Sequence, residues 1–226
     1  MAYRVGTQKR KEKKMNLPNK ITISRIVLIV CMIISMLVLS FFPDFDAIDI
    51  GNSKINLVYL IFTIVFIVAA LTDFLDGYLA RKLNQVTSFG KFLDPIADKL
   101  LNDATMIFLL VPQTYAPNQR NDSTMLTILM ICVIVMIARD LVVDALRMIA
   151  VEQGKVIAAN IFGKIKTVFQ MVAIPMLLLN NWPFSYIDGA LPEPLKISNI
   201  FFYLATIMSL VSGIIYIIQN RHVLKK

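Results

Sequence analysis

Six apolar stretches alternate with short polar connections along the 226 residues, at roughly 21–42, 56–80, 95–112, 124–147, 158–180 and 197–219. Crossing about 30 Å of hydrocarbon takes roughly 20 residues of helix, so each stretch predicts a membrane-spanning helix. Ahead of the first lies Asn16-Leu-Pro-Asn-Lys-Ile-Thr-Ile-Ser-Arg25, a short amphipathic lead-in whose Pro18 can start a helix. The fold class expected is therefore all-α integral membrane, with six transmembrane helices and a short N-terminal interfacial helix. The longer connections, about 43–55, 113–123 and 181–196, are rich in Pro, Asp and Asn and leave no room for a soluble domain. Two parts result: a basic N-terminal tail over 1–15 and one membrane domain over 16–226.

Composition agrees. The chain is 57% hydrophobic with a mean hydropathy of +0.68, too apolar to coat a soluble core. Charge then sets the orientation. Of the 23 Lys and Arg residues, all but Lys54, Arg120 and Lys196 fall in or beside the tail, the 81–99 region, the 139–166 region and the C-terminus. The positive-inside rule makes those segments cytoplasmic, including both termini, in a multi-pass cell-membrane protein. The opposite loops carry acids instead, among them Asp44, Asp46, Asp49, Asp188 and Glu193. Residues 1–14 lack the apolar core of a signal peptide and are expected to be a polybasic tail drawn to anionic headgroups. Cys31 and Cys132 lie inside apolar stretches, where small buried hydrophobes are the expectation and no disulfide framework is implied. His222 is the only histidine, which disfavours a His base or a His-ligated zinc.

Against this background one cluster stands out. Asp73, Asp76, Gly77, Ala80 and Arg81 close the second stretch, and Gly90, Asp94 and Asp98 open the third. Helical periodicity puts the first set on one face and the second set, spaced by four, on another. A loop over about 82–91 is expected to join the two faces. Carboxylates beside a bilayer are costly and would repel one another without a cation. Oxygen-only ligands suit hard ions, Mg²⁺, Mn²⁺ or Ca²⁺, and a two-ion arrangement suits phosphoryl chemistry. Blander readings exist: Asp94-Pro95 fits an N-cap followed by Pro at N1, and Asp73 and Asp76 fit helix-end charges paired with Arg81 and Lys82. A second polar band, Arg139, Asp140, Asp144 and Arg147, interrupts the fourth stretch, and Gly163-Lys164-Ile165-Lys166-Thr167 opens the fifth. Arg and Lys there suit a substrate phosphate; a structural ion pair between these arginines and aspartates is the competing reading.

The run Asp73-Phe-Leu-Asp76-Gly77-Tyr-Leu-Ala80-Arg81, eight residues, then Gly90-Lys-Phe-Leu-Asp94-Pro-Ile-Ala-Asp98 resembles the full signature of the CDP-alcohol phosphatidyltransferases. The resemblance implies a phosphatidyltransferase of phospholipid biosynthesis that holds two Mg²⁺ ions, with Mn²⁺ as the alternative, on Asp73, Asp76, Asp94 and Asp98. It implies Asp98 as the general base, and a CDP-diacylglycerol site made by Asp73, Asp76, Gly77, Ala80, Arg81 and Gly90. The flanking Asn16 to Arg25, Arg139 to Arg147 and Gly163 to Thr167 segments resemble the bacterial branch whose acceptor is glycerol 3-phosphate. Asp140 departs from it, standing where many relatives carry Glu. Arg139, Arg147 and Lys164 are then the candidates for the acceptor's phosphate. Lipid and CDP-diacylglycerol are the implied partners, nucleic acid is not, and a homodimer is suggested. Branches using another acceptor, such as cardiolipin or phosphatidylinositol phosphate synthases, are the alternative. A divalent-cation transporter is a remote one, because its acids should spread through mid-bilayer and not gather beside Arg and Lys.

Overall fold

The structure, a computed structural model, describes residues 17–42, 55–83, 87–111, 123–155, 157 and 160–223; the side chains of residues 17, 18, 76, 79–81, 88, 89, 91 and 222 lie outside that description. The described residues form six long helices: α1 (Leu17–Ser40), α2 (Leu57–Lys82), α3 (Ser88–Phe108), α4 (Ser123–Glu152), α5 (Ile161–Leu178) and α6 (Ile197–Gln219). α1 packs on α2 and α3, α6 packs on α4 and α5, and α2 against α5 joins the two groups.

Each helix turns one stripe inward. On α1 the stripe is Thr22, Arg25, Ile29, Met32 and Met36, all buried at spacings of three and four. Between the stripes, large apolar side chains face outward, such as Ile34, Leu37, Ile64, Ile134 and Ile214. That arrangement suits a lipid surround, where the outer face must be apolar too. Small buried residues, Ala69, Ala97, Ala173, Ala205 and Ser209, let the helices approach closely. Buried hydroxyls turn back on their own helices: Thr63 donates to the carbonyl of Tyr59 at 2.8 Å, Thr105 to Leu101 at 2.7 Å and Thr206 to Phe202 at 3.0 Å.

Five helices, all but α3, are long and apolar enough to cross a membrane, so the chain is an integral helical membrane protein. α3 is long enough, at 21 residues, but carries Lys91, Asp94, Asp98, Lys99 and Asp103. It starts earlier than the 95–112 stretch expected. Thr87 caps it, accepting from the N–H of Gly90 at 3.0 Å and donating to Oδ1 of Asn19 at 2.7 Å. The Asp94-Pro95 cap is thereby overturned, since Pro95 sits inside the helix. α2 runs on to Lys82, so the connection to α3 is shorter than the 82–91 loop expected. Residues 17–25 are likewise the first turns of α1 and not a separate interfacial helix. Cys132 is buried as expected, whereas Cys31 is exposed on the outer face of α1. The basic tail and most of the 43–55 and 113–123 connections lie outside the described residues.

Candidate active site

Polar side chains from all six helices meet at one end of the bundle. On one side stands an acidic wall. Arg25, buried on α1, donates to Asp73 of α2 and stands 3.5 Å from Asp94 of α3, the two carboxylates each being about half exposed. Arg25 also shares a narrow space with Asp73 and Asp98. Asn102, one turn beyond Asp98, donates to its Oδ1 and to its carbonyl, each at 3.0 Å, and so fixes the direction of that carboxylate.

Facing it is a basic wall. Arg139 of α4 donates to Asp140 at 2.8 Å and to Ser212 of α6. Lys166 of α5, buried, donates to the other oxygen of Asp140 at 2.5 Å. Arg147 donates to the hydroxyl of Tyr216 at 2.9 Å, with the guanidinium 5.5 Å from the ring centroid. Lys99 of α3 pairs with Asp144 of α4 where both are part exposed. Between the walls lies a cavity of about 270 Å³. Five cations (Lys99, Arg139, Arg147, Lys164, Lys166) and four acids (Asp98, Asp103, Asp140, Asp144) line it, leaving one positive charge in excess. Its volume falls just below that of drug-sized ligand pockets, which run from roughly 300 to 1,000 Å³, and suits a small anion better than a lipid. Of the residues lining the narrow space and the cavity, only Asp98 belongs to both.

The signature spacing, the position of Asp98 and the match to known sequences now converge. The profile described as CDP-alcohol phosphatidyltransferase matches residues 15–214. The chain belongs to the CDP-alcohol phosphatidyltransferase family. It is 41% identical over 211 residues to the CDP-diacylglycerol–glycerol-3-phosphate 3-phosphatidyltransferase of Bacillus subtilis, covering 93% of this chain and 97% of that one. To the enzymes of that name from Mycoplasma pneumoniae and Haemophilus influenzae it is 35% and 34% identical, covering 88% and 90% of this chain and 85% and 92% of theirs.

Within this phosphatidyltransferase, the structure brings Asp98 together with Arg139, Arg147 and Lys164 around one cavity. Asp73 and Asp94 meet at Arg25. The side chains of Asp76, Ala80 and Arg81 lie outside the described residues. A Cβ on Gly77 would meet no atom of the described residues within 4 Å. Gly90 has a packing reason of its own: a Cβ would meet Thr87 Oγ1 at 3.3 Å and Asn19 Oδ1 at 3.5 Å. The structural ion pair that competes with a phosphate-binding role does not form at Arg147: among the described residues, Tyr216 takes Arg147 and Lys99 takes Asp144. The Arg139–Asp140 pair does form, and Lys166 joins it.

Sequence reasoning gave no site role to Arg25 or Asn102, and placed Lys166 only within the basic band that suits a phosphate. Arg25 lies three residues after Thr22 on the inward stripe of α1, and a charge on the inward face of an apolar helix is the signal that points to it. The donor set fits a hard divalent cation: Asp73, Asp94 and Asp98 offer oxygen alone, and a guanidinium already answers two of them. Among the described residues, no three carboxylates converge on one point as they stand.

Proposed function

We propose that the protein transfers the phosphatidyl group of CDP-diacylglycerol to glycerol 3-phosphate, giving phosphatidylglycerophosphate and CMP. The observation that carries this reading is the cavity in which Asp98 faces Arg139, Arg147 and Lys164. A base and a phosphate-binding wall in one small chamber suit an acceptor that has both a hydroxyl and a phosphate. The names of the relatives in B. subtilis, M. pneumoniae and H. influenzae support the same acceptor.

In this reading Asp98 accepts the proton of the acceptor hydroxyl as its oxygen bonds to the phosphorus bearing diacylglycerol. The bond from that phosphorus to the bridging oxygen breaks, and CMP leaves with the electron pair. An alcohol is a weak nucleophile near neutral pH, so a base within hydrogen-bond reach is needed. Arg139, Arg147 and Lys164 hold the acceptor's phosphate, and Asn102 keeps Asp98 turned to the chamber. Asp73, Asp76, Gly77, Ala80, Arg81 and Gly90 form the CDP-diacylglycerol site, with the acyl chains in the bilayer. Asp73, Asp76, Asp94 and Asp98 would hold two divalent ions, Mg²⁺ or Mn²⁺, which when bound neutralise the diphosphate and the charge developing at phosphorus. Arg25 must then give up its present hold on Asp73.

The proposal extends to topology. α3 is the sixth span, its charged face turned to the site, and both termini are cytoplasmic. Residues 16–226 form the membrane domain after a basic tail, and the protein works as a homodimer. Purified protein given CDP-diacylglycerol, Mg²⁺ and a panel of acceptors tests the function. Phosphatidylglycerophosphate from glycerol 3-phosphate is the expected product. A lipid product from inositol phosphate or phosphatidylglycerol, with none from glycerol 3-phosphate, would move the protein to another branch.

A further inference from the structure

The direction of Arg139 depends on a glycine of the neighbouring helix. A Cβ on Gly213 of α6 would stand 2.8 Å from Cγ of Arg139, with Nε at 3.6 Å and Cδ at 3.8 Å. Carbon atoms in close-packed interiors do not approach that far. Cγ is near the root of the side chain, so turning the guanidinium alone does not relieve the contact; the whole stem must swing. Gly163 of α5 lies near the tip of the same side chain, where a Cβ would crowd Ser212 Oγ at 3.3 Å and make ordinary contact with Nη2 at 3.5 Å.

The stem thus lies flat against the backbone of α6, and its tip is held at two points. Nη2 donates to Ser212 and Nη1 donates to Asp140 at 2.8 Å. Adjacent residues on a helix do not ordinarily face each other, and the Arg139–Asp140 bond forms because the stem is laid along Gly213. Nε is buried and meets no hydrogen-bond partner among the described residues. Glycine is a poor helix former, so one kept inside α6 calls for a packing reason, and Arg139 supplies it.

We infer that Gly213, with Gly163 and Ser212, is a positioning slot that aims the Arg139 guanidinium into the cavity at the acceptor's phosphate. The inference rests on the reading of that cavity as the acceptor site. None of the three need touch substrate; they act through Arg139.

Steady-state kinetics on purified enzyme test it. Gly213→Ala is expected to raise KM for glycerol 3-phosphate by about tenfold to a hundredfold, the scale of a misplaced positioning group, with KM for CDP-diacylglycerol unchanged. In an Arg139→Ala background the same substitution should have no further effect, because no stem remains to displace. Ser212→Ala, which adds no bulk, should raise the same KM by a smaller factor; it carries the test alone if Gly213→Ala does not fold. An unchanged acceptor KM in Gly213→Ala overturns the slot, as does equal impairment of the wild-type and Arg139→Ala enzymes. With Gly213→Ala unfolded, an unchanged KM in Ser212→Ala overturns it. Wild-type transfer to glycerol 3-phosphate, run alongside, judges the acceptor assignment separately. Should the wild type use a different phosphorylated alcohol, the slot is judged from the same ratios with that alcohol.

Discussion

The two ends of the bundle both bury charge, and they handle it differently. At the end away from the cavity, Asp188 is buried and accepts from Asn181 Nδ2 at 2.6 and 2.7 Å and from the N–H of Ile197 at 3.0 Å. Asn181 Oδ1 in turn accepts from the N–H of Ser198 at 2.9 Å. A carboxylate at the start of α6 thus answers the unpaired N–H groups and the positive end of that helix. Asn180 and Asn181, at φ 55° and 64°, make the turn out of α5 in the left-handed region that Asn tolerates. The result is a closed knot.

At the cavity end the same kinds of group are left open. Asn102 Oδ1, Arg139 Nε and Asn160 Nδ2 are buried and meet no hydrogen-bond partner among the described residues. Unmet buried polar atoms cost stability. Ser198 Oγ and Asn199 Oδ1 are unmet among the described residues at the far end as well, and what sets the cavity end apart is that these three groups all line the chamber beside Asp98. The contrast separates polar groups that hold the bundle together from polar groups that line the chamber, which the proposed function makes ready for a substrate.

Substitutions at the two ends should therefore fail in opposite ways. The largest effect is expected from Asp98→Asn, which keeps the shape and removes the proposed base: kcat should fall by about 10² to 10⁴, or about 3–5 kcal/mol of barrier, while the protein still folds. Undiminished turnover would take Asp98 out of the mechanism. Asp188→Ala should do the reverse. It strips the acceptor from Asn181 and Ile197 and should cost about 2–4 kcal/mol of stability, seen as a lower thermal midpoint in detergent, with activity per folded molecule retained. Losing activity with the midpoint unchanged would break the contrast. Smallest is Thr87→Ala, which removes the cap of α3 and its tie to Asn19, for about 1 kcal/mol; a midpoint equal to wild type would show that the cap does not hold that helix.

Most of the helices were legible because lipid demands long apolar runs, and α2, α4 and α6 run close to their expected bounds. The acidic motif was legible because its spacing is local. What escaped depends on contacts between helices. Thr87 caps α3 by reaching Asn19 on α1, which nothing near Asp94-Pro95 announces. Lys166 is as basic as Lys164, yet only packing buries it on Asp140. Gly213 reads as one more small residue in an apolar helix until Arg139 is laid against it.

The central claim is that the open end holds an anionic acceptor on the basic wall, opposite Asp98. Arg139→Ala, assayed for both substrates, tests it most directly. The account predicts a KM for glycerol 3-phosphate raised by about tenfold or more, as a lost charge-assisted hydrogen bond of roughly 1.5–3 kcal/mol requires, with KM for CDP-diacylglycerol unchanged. A raised donor KM with the acceptor KM at its wild-type value would contradict it.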